Sequence, residues 1–297
     1  MAELRFDHQA ALVTGSGAGL GRAHARELAR RGAMVAINDI AVTADGVPLA
    51  EAVAAELRGD GYTAIAVGGN VGVESEATGL VEQTVAAFGR IDVLVNNAGA
   101  GGTGAVQETL TSQFLDTLTV HLYGMFWTMR AALGHMREQD YGRVINTTSA
   151  LGVFGAPASA PYVTAKAGIV GLTRAASLDN RDRDIRVNAL APVAATGLAK
   201  GYFDQHPELD LTLLEPTFVS PVVAYLAHRS CELHGETLAA GGGRVARLFT
   251  AAVPGYSSRS LSAEEVAAHL GEIRDTGGFR ILGSSIEQYD LLPAFAD

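Results

Sequence analysis

The sequence has little cysteine, no long apolar run and little positive charge, and each shortage argues against a class of protein. Cys231 is the only cysteine, so no disulfide can form within the chain, and a reducing compartment fits. No apolar run reaches the roughly 18 residues of a membrane-spanning helix, and the charged start "MAELRFDHQA" is atypical of a signal peptide. We therefore expect a cytoplasmic protein without a membrane partner.

Positive charge is also scarce. The net charge is −10, with 22 basic against 32 acidic residues, which argues against a nucleic-acid partner. Only two of the basic residues, Lys166 and Lys200, are lysines. A chain that uses arginine nearly everywhere favours a specific role for the lysines that it keeps.

Short apolar segments alternate with helical patterns at least six times between "AALVTG" and "IRVNALAP". This alternation predicts an α/β fold, a doubly wound parallel sheet of about seven strands with helices on both faces. The pattern breaks after Pro192, and residues 193–215 are predicted to form a loop with short helices. A helix at about 216–229 and a strand near "ETLAAG" follow.

We predict one main domain over residues 1–243 and a C-terminal extension, 244–297, packed on the same domain. The apolar fraction of 48% is enough for a large core. The extension contains a helix start in "LSAEEVAAHLGEIRD", where Ser262 can cap the helix and Glu264 and Glu265 occupy its first turn.

A glycine-rich loop, "VTGSGAGLGRA", lies between the first strand and the first helix. It contributes Gly15, Gly17, Gly19 and Gly21, which let the backbone approach a diphosphate at the helix N-terminus. An ordinary turn also uses glycine. The strand–loop–helix context at the start of an alternating pattern favours a dinucleotide site.

The second strand ends at Asp39, 18 residues after Gly21, where an acid can bind the adenosine ribose hydroxyls. Its carboxylate would repel a 2′-phosphate, and positions 16–18 of the glycine loop carry no basic residue. Both observations favour NAD over NADP. The alternatives are that Asp39 is a solvated acid at a strand end and that Arg22 either reaches a phosphate or lies on the helix surface.

A serine, a tyrosine and a lysine form the candidate catalytic group. Tyr162 and Lys166 in "SAPYVTAKAG" are four residues apart, which puts them on one face of a helix. A tyrosine titrates near ~10, and a nearby lysine cation together with an oxidised nicotinamide would lower that pKa. Ser149, thirteen residues upstream of Tyr162 at a strand end, can orient a substrate oxygen.

Five motifs together resemble the short-chain dehydrogenase/reductase family over about residues 8–240. They are "TGSGAGLG" at 14–21, "NNAG" at 96–99, Ser149, "YVTAK" at 162–166 and "RVNALAP" at 186–192. The resemblance implies a Rossmann-like fold that binds NAD. It also implies that Tyr162 is the acid/base, that Lys166 is its electrostatic and ribose partner, and that Ser149 orients the substrate.

The resemblance also implies a cofactor site beyond the four glycines. In this family Asn96 to Gly99 would support the central strand and line the adenine and ribose site. The further residues assigned to the cofactor are Leu20, Asp39, Asn70, Val71, Asn97, Ala98, Gly99, Tyr162, Lys166 and Pro192. Two positions depart from the family pattern, because Asn70 stands where aspartate is common and Val193 follows Pro192 where glycine is common.

His121 lies within the apolar segment "TVHLYGMFW". Such a histidine is usually an ordinary core residue, but this one falls at the family's fourth catalytic position, where an asparagine usually helps to hold a water in a proton relay toward the lysine. We favour a functional role, as relay or spacer and not as a metal ligand; no metal is expected. "VHLYGMF", "YGRVINTTSALGVFG" and the extension resemble one branch, the (3R)-hydroxyacyl-CoA dehydrogenase domain of peroxisomal multifunctional enzyme type 2 (17β-hydroxysteroid dehydrogenase type 4).

These resemblances imply NAD-dependent interconversion of a secondary alcohol and a ketone, with a 3-hydroxyacyl-CoA as the expected substrate. Lys200, Arg244 and Arg247 either supply cations for the CoA or are solvated surface charges. The alternatives are a steroid, a terpenoid or another bulky alcohol, a biosynthetic reductase using NADPH, which Asp39 disfavours, and a non-catalytic NAD-binding regulatory protein. The resemblance also implies a homodimer or homotetramer formed through the long helices.

Overall fold

The computed structural model describes residues 3–196 and 210–293. Lys200 and most of the predicted loop at 193–215 therefore lie outside the described residues. Two compact units are present, Met1–Arg247 and Leu248–Asp297.

The first unit is built on one eight-stranded sheet in the order β3-β2-β1-β4-β5-β6-β7-β8. The strands are β1 Ala10–Thr14, β2 Met34–Asn38, β3 Ala64–Ala66, β4 Val93–Asn96, β5 Tyr141–Thr147, β6 Asp184–Pro192, β7 Thr237–Gly241 and β8 Arg244–Leu248. Among the described residues of this unit, the α-helices are α1 Gly19–Arg30, α2 Leu49–Gly59, α3 Glu74–Phe88, α4 Thr111–Leu118, α5 Gly124–Gln139, α6 Ala150–Phe154, α7 Ala160–Asp179 and α8 Ser220–Ala227.

Helices cover both faces of the sheet, as the apolar strands require. Val13 of β1 packs in a core cluster with α1, α2 and α8. Its neighbour Leu12 points to the other face and packs with α3, α5 and α7. The pairs from β3 through to β7 are all parallel, so the predicted doubly wound architecture is confirmed.

The sheet has one strand more than the sequence predicted. Residues Arg244–Leu248, which we assigned to the extension, form β8 beside β7. Gly242 and Gly243 join the two strands with φ of 58° and 73°. A two-residue connection with both φ values positive is a hairpin turn, so β8 runs antiparallel to β7.

The strand order reverses between β1 and β4, which places a crevice at the carboxyl ends of these strands. Gly15 follows β1, Asp39 follows β2, Asn97 follows β4 and Ser149 follows β5 by two residues. The fold therefore brings motifs that are far apart in sequence to the same edge of the sheet.

The second unit contains the helices α9 Ala263–Ala268 and α10 Leu270–Arg274. The predicted helix start is confirmed: Ser262 Oγ accepts from the Glu265 N–H at 3.1 Å, and Glu265 Oε2 accepts from the Ser262 N–H at 3.0 Å. None of residues 248–293 is buried. In the two described stretches of the chain, no helix combines the length and the apolar character needed to cross a membrane.

Candidate active site

The glycine loop is shaped so closely that two of its positions require glycine. Gly15 has a φ of +62°, and a Cβ there would lie 2.7 Å from Ala98 Cα. A Cβ at Gly21 would lie 2.1 Å from the Gly15 carbonyl oxygen. Both contacts are with backbone atoms, which cannot move aside, so a side chain at either position would distort the loop. With glycine at both positions, the backbone of the loop stays accessible from the crevice.

The N-terminus of α1 points its N–H groups at this crevice. Ala18 precedes the helix and offers no capping side chain, and the first turn contains no acidic residue. Leu20 packs its side chain on the core. Unsatisfied N–H groups and the helix dipole attract an anion, so this cradle fits a diphosphate.

Asp39 is fixed beside the glycine loop. Its Oδ2 accepts from the Gly17 N–H and its Oδ1 from the Ala41 N–H, both at 2.9 Å. Arg22 forms an ion pair with Glu56 of α2, so it lies on the helix surface and is engaged there. The carboxylate therefore stands at the end of β2 facing the loop, where a ribose would lie.

The "NNAG" segment after β4 is tied to the glycine loop. Thr14 Oγ1 accepts from the N–H groups of Asn97 and Ala98, each at 3.1 Å. Asn97 Nδ2 donates to the carbonyls of Thr14 at 3.1 Å and Gly15 at 2.9 Å. These bonds hold the ends of β1 and β4 together at the strand-order reversal.

Asn70 shapes the loop after β3. Its Oδ1 accepts from the Gly72 N–H at 2.8 Å, and its own N–H donates to Glu76 at 2.8 Å. Val71 is buried beside Gly124 of α5, where a Cβ would lie 2.8 Å from the Val71 carbonyl oxygen. Asn70 thus serves as a turn-forming acceptor.

Ser149, Tyr162 and Lys166 meet just beyond the carboxyl end of β5. Lys166 is buried and its Nζ donates to the Thr147 carbonyl at 2.7 Å. The same Nζ lies 5.4 Å from the centroid of the Tyr162 ring. Ser149 caps α6 through the Leu151 N–H at 3.2 Å, which fixes the position of its hydroxyl.

Burial shifts the pKa values of Tyr162 and Lys166 in opposite directions. Burial raises the pKa of Tyr162, and a hydrogen bond with the Ser149 hydroxyl opposes that rise. Burial lowers the pKa of Lys166 to about 7. In the protein alone the pKa of Tyr162 is thus governed by burial and by Ser149, and its lowering by the lysine cation together with an oxidised nicotinamide stays a prediction.

His121 is buried against the same tyrosine. It lies in a π-helical turn, Thr119–Tyr123, and its ring meets that of Tyr162 edge-on with centroids 5.3 Å apart. Nε2 is 2.7 Å from the Ala100 carbonyl oxygen and 3.1 Å from the Ala100 nitrogen, whereas Nδ1 is buried without a partner. Burial, followed by the charge of Lys166, lowers the His121 pKa to about 3. The imidazole is therefore neutral near pH 7.

Comparison with known proteins identifies the family. The family model for the short chain dehydrogenases matches residues 9–206. The chain belongs to the short-chain dehydrogenase/reductase family. It is an oxidoreductase that acts on CH–OH groups and uses an NAD(P) nucleotide.

Three relatives illustrate the range of similarity. The chain is 38% identical to peroxisomal multifunctional enzyme type 2 of Mus musculus, over 82% of this chain and 33% of the mouse enzyme. It is 36% identical to a (hydroxyphenylmethyl)succinyl-CoA dehydrogenase subunit of Thauera aromatica, over 80% of this chain and 97% of the relative. The full-length structure of the type 2 enzyme from Drosophila melanogaster superposes with a TM-score of 0.80 and 29% identity, covering 97% of this chain and 49% of that one.

Sequence reasoning missed two residues of this dehydrogenase that border the site. Gly152 of α6 lies so near α7 that a Cβ would come 2.6 Å from the Lys166 carbonyl carbon. Thr196, four residues after Pro192, packs its methyl group 3.5 Å from the Cβ position of Gly19. The glycine in "SALG" indicated the first contact only weakly, and no local pattern indicated the second.

Two of the three cations that we considered for CoA binding, Arg244 and Arg247, lie on β8 and differ in their surroundings. Arg244 is exposed on β8. Arg247 of the same strand forms an ion pair with Glu236, so its charge is engaged. Neither position was expected in a strand, since the sequence placed both residues in the extension.

Proposed function

We propose that this dehydrogenase oxidises a 3-hydroxyacyl-CoA to the 3-ketoacyl-CoA with NAD. The observation that carries the proposal is the convergence of Ser149, Tyr162 and Lys166 at the end of β5, beside the glycine loop. The CoA thioester is supported by the resemblance to the hydroxyacyl-CoA dehydrogenase branch and by the bacterial relative that is named for a succinyl-CoA substrate.

In the proposed mechanism Tyr162 removes the proton of the substrate hydroxyl. Ser149 donates a hydrogen bond to the substrate oxygen and holds it beside the phenol. Lys166, fixed by the Thr147 carbonyl, supports the phenolate and the nicotinamide ribose. Bound NAD would be held by the glycine loop and Asp39, and it supplies the acceptor for the hydride from the carbinol carbon.

The proposed preference for NAD rests on charge at the end of β2. Asp39 presents a carboxylate that would repel a 2′-phosphate. Arg22, the nearest candidate for a phosphate contact, is bound to Glu56. With no other basic residue in the glycine loop, the site favours ribose hydroxyls over a phosphate.

An activity assay that combines each cofactor with each class of alcohol tests the proposal. Absorbance at 340 nm would be followed with NAD or NADP against (3R)- and (3S)-hydroxyacyl-CoA thioesters, steroids and terpenoid alcohols. We expect turnover with NAD and a hydroxyacyl-CoA. Faster turnover of a steroid or terpenoid would overturn the substrate class, and no turnover together with tight NAD binding would favour the regulatory alternative.

We further propose that two copies of the chain pair through the outer faces of α5 and α7. An apolar groove on these helices is lined by Leu122, Tyr123, Phe126, Trp127, Gly168, Gly171, Leu172 and Ala175. Tyr123 and Phe126 are about two-fifths exposed, and exposed aromatic side chains are typical of interfaces. Light scattering of the wild type and of Phe126→Asp tests this pairing. We expect a smaller molecular mass for the variant than for the wild type. A monomeric wild type would contradict the proposal.

A further inference from the structure

Four buried polar side chains form a continuous hydrogen-bonded chain below the candidate active site. Thr128 Oγ1 donates to Asn96 Oδ1 at 2.7 Å, Asn96 Nδ2 donates to Asn146 Oδ1 at 3.0 Å, and Asn146 Nδ2 donates to Thr173 Oγ1 at 3.0 Å. None of the four is more than 1% exposed. We call this set the asparagine–threonine chain.

The asparagine–threonine chain lies where apolar residues would be expected. The other residues of β4 are all buried and apolar, and Asn96 and Asn146 face each other in the register of β4 with β5. A buried polar group is costly unless it is paired, and a paired network often contributes more to a unique geometry than to stability. Its presence in this core therefore points to a role in positioning.

Each residue of the asparagine–threonine chain lies three or seven residues along the sequence from a candidate site residue. Thr173 follows Lys166 by seven residues, or about two helical turns, and Thr128 follows His121 by seven. Asn96 precedes Gly99 by three residues, and Asn146 precedes Ser149 by three. Four of the elements that border the site, α5, β4, β5 and α7, are thus joined by these side chains within the core.

We propose that the asparagine–threonine chain is a positioning device that fixes α5 and α7 against β4 and β5. It thereby sets the distance between Lys166 and Tyr162 on one helix and Ser149 beyond β5. The proposal rests on the proposed function wherever activity is the readout. The four residues do not touch substrate or cofactor and act only through the residues that do.

Thr173→Val tests the proposal, because it keeps the shape of the side chain and removes the acceptor of Asn146 Nδ2. Misplaced catalytic groups lose rate steeply, so we expect kcat to fall about tenfold or more. The KM for NAD should change less than kcat, since the glycine loop and Asp39, which hold the rest of the cofactor, are carried by β1, α1 and β2. The midpoint of the pH profile of kcat should shift, and Thr173→Ser, which retains the hydroxyl, should restore both.

Thr84→Val is the matched control. Thr84 is fully buried in α3 and its Oγ1 donates to the Leu80 carbonyl at 2.8 Å, so the same atoms are removed from another helix. We expect it to lower the melting temperature and to leave kcat and the pH profile unchanged. The proposal is overturned if Thr173→Val keeps the wild-type kcat and pH midpoint, or changes them no more than Thr84→Val. If Thr173→Val does not fold, Thr128→Val gives the same test from the other end.

Amide hydrogen exchange separates this proposal from the proposed function. Thr173→Val should raise exchange beyond its own helix, at residues 145–149 and 119–123, whereas Thr84→Val should raise it only around α3. A rise confined to α7 would overturn the proposal even in an active enzyme. Absence of turnover in the wild type would overturn the proposed function and leave the exchange result to decide on the asparagine–threonine chain.

Discussion

The imidazole of His121 lies directly against the backbone of Gly99. A Cβ at Gly99 would come 2.5 Å from His121 Cε1 and 3.1 Å from Nδ1. The imidazole therefore fills the space that only glycine leaves open after β4. Its ring is held between this backbone and the Tyr162 ring, which lies nearly perpendicular to it.

Gly99→Ala should be harmful in the wild type and tolerated when His121 is shortened. The added methyl group would displace the imidazole from Ala100 and from Tyr162, so activity should fall. In the His121→Asn background the smaller side chain leaves room for it. Comparing kcat/KM for the two single variants and the double variant should give a coupling of about 0.5–3 kcal/mol, as residues in contact do. Additive losses would show that the contact does not matter.

His121→Asn tests whether the histidine serves the site or only the core. A shorter side chain would admit water beside Tyr162, and since burial raises the pKa of that tyrosine, the pH midpoint of kcat should move lower. We expect kcat to fall as the phenol loses its packing partner. His24→Asn is the control, because His24 is also fully buried with a pKa of about 3 but lies in α1. Retained activity with an unchanged pH profile would make His121 an ordinary core residue.

Asp39→Asn should shift cofactor selectivity toward NADP. The amide keeps the size of the side chain and removes the charge that repels a 2′-phosphate. We expect the ratio of kcat/KM for NAD to that for NADP to fall by about tenfold, the effect of roughly 1.4 kcal/mol. Asp45→Asn, at an exposed position in the following loop, should leave the ratio unchanged. An unaltered ratio in Asp39→Asn would contradict the assignment of NAD specificity to this carboxylate.

Lys166→Met should stabilise the protein below neutral pH. Burial lowers the Lys166 pKa from its ordinary value of 10.5 to about 7. Between these values the unfolded chain binds a proton that the folded one does not, so wild-type stability should rise as pH increases from 7 to 10.5. Below pH 7 Lys166 is protonated in both the folded and the unfolded state, so the full cost of burying its charge lowers the free energy of unfolding of the wild type.

Urea unfolding at several pH values measures this effect. The free energy of unfolding of Lys166→Met should exceed that of the wild type by the largest amount at pH 6 and approach it near pH 10. The same variant should lose activity, because replacing a functional charged residue by an apolar one commonly stabilises the fold at the expense of activity. A deficit in stability at every pH would contradict the cost that we assign to the buried ammonium.

Much of the fold and of the site follows from local sequence patterns. The glycine loop lies between a strand and a helix, and Tyr162 and Lys166 share a helix, because both relations depend on neighbouring residues. The strand β8 was missed because "RVARL" is only five residues long and lacks the strict alternation of polar and apolar residues that indicates a strand. Its turn glycines, Gly242 and Gly243, were the available indication.

Relations that depend on packing depth or on distant pairing could not be predicted. The direction of the Tyr162 pKa shift depends on how deeply the phenol and Lys166 are buried, which spacing does not reveal. The pairing of Asn96 with Asn146 depends on the register between β4 and β5. Thr196 reaches Gly19 only because the segment after β6 folds back over the loop after β1.

The rate of NADH formation from a 3-hydroxyacyl-CoA by Tyr162→Phe, beside Tyr141→Phe, tests the central claim most directly. Each variant loses one phenolic hydroxyl from a largely buried tyrosine, but Tyr141 lies at the opposite end of β5 from the site. Removing the proton acceptor should lower kcat by about 10²-fold or more, the range of general acid–base catalysis. We predict that loss for Tyr162→Phe with near-wild-type rates for Tyr141→Phe; equal rates in both variants would contradict the claim.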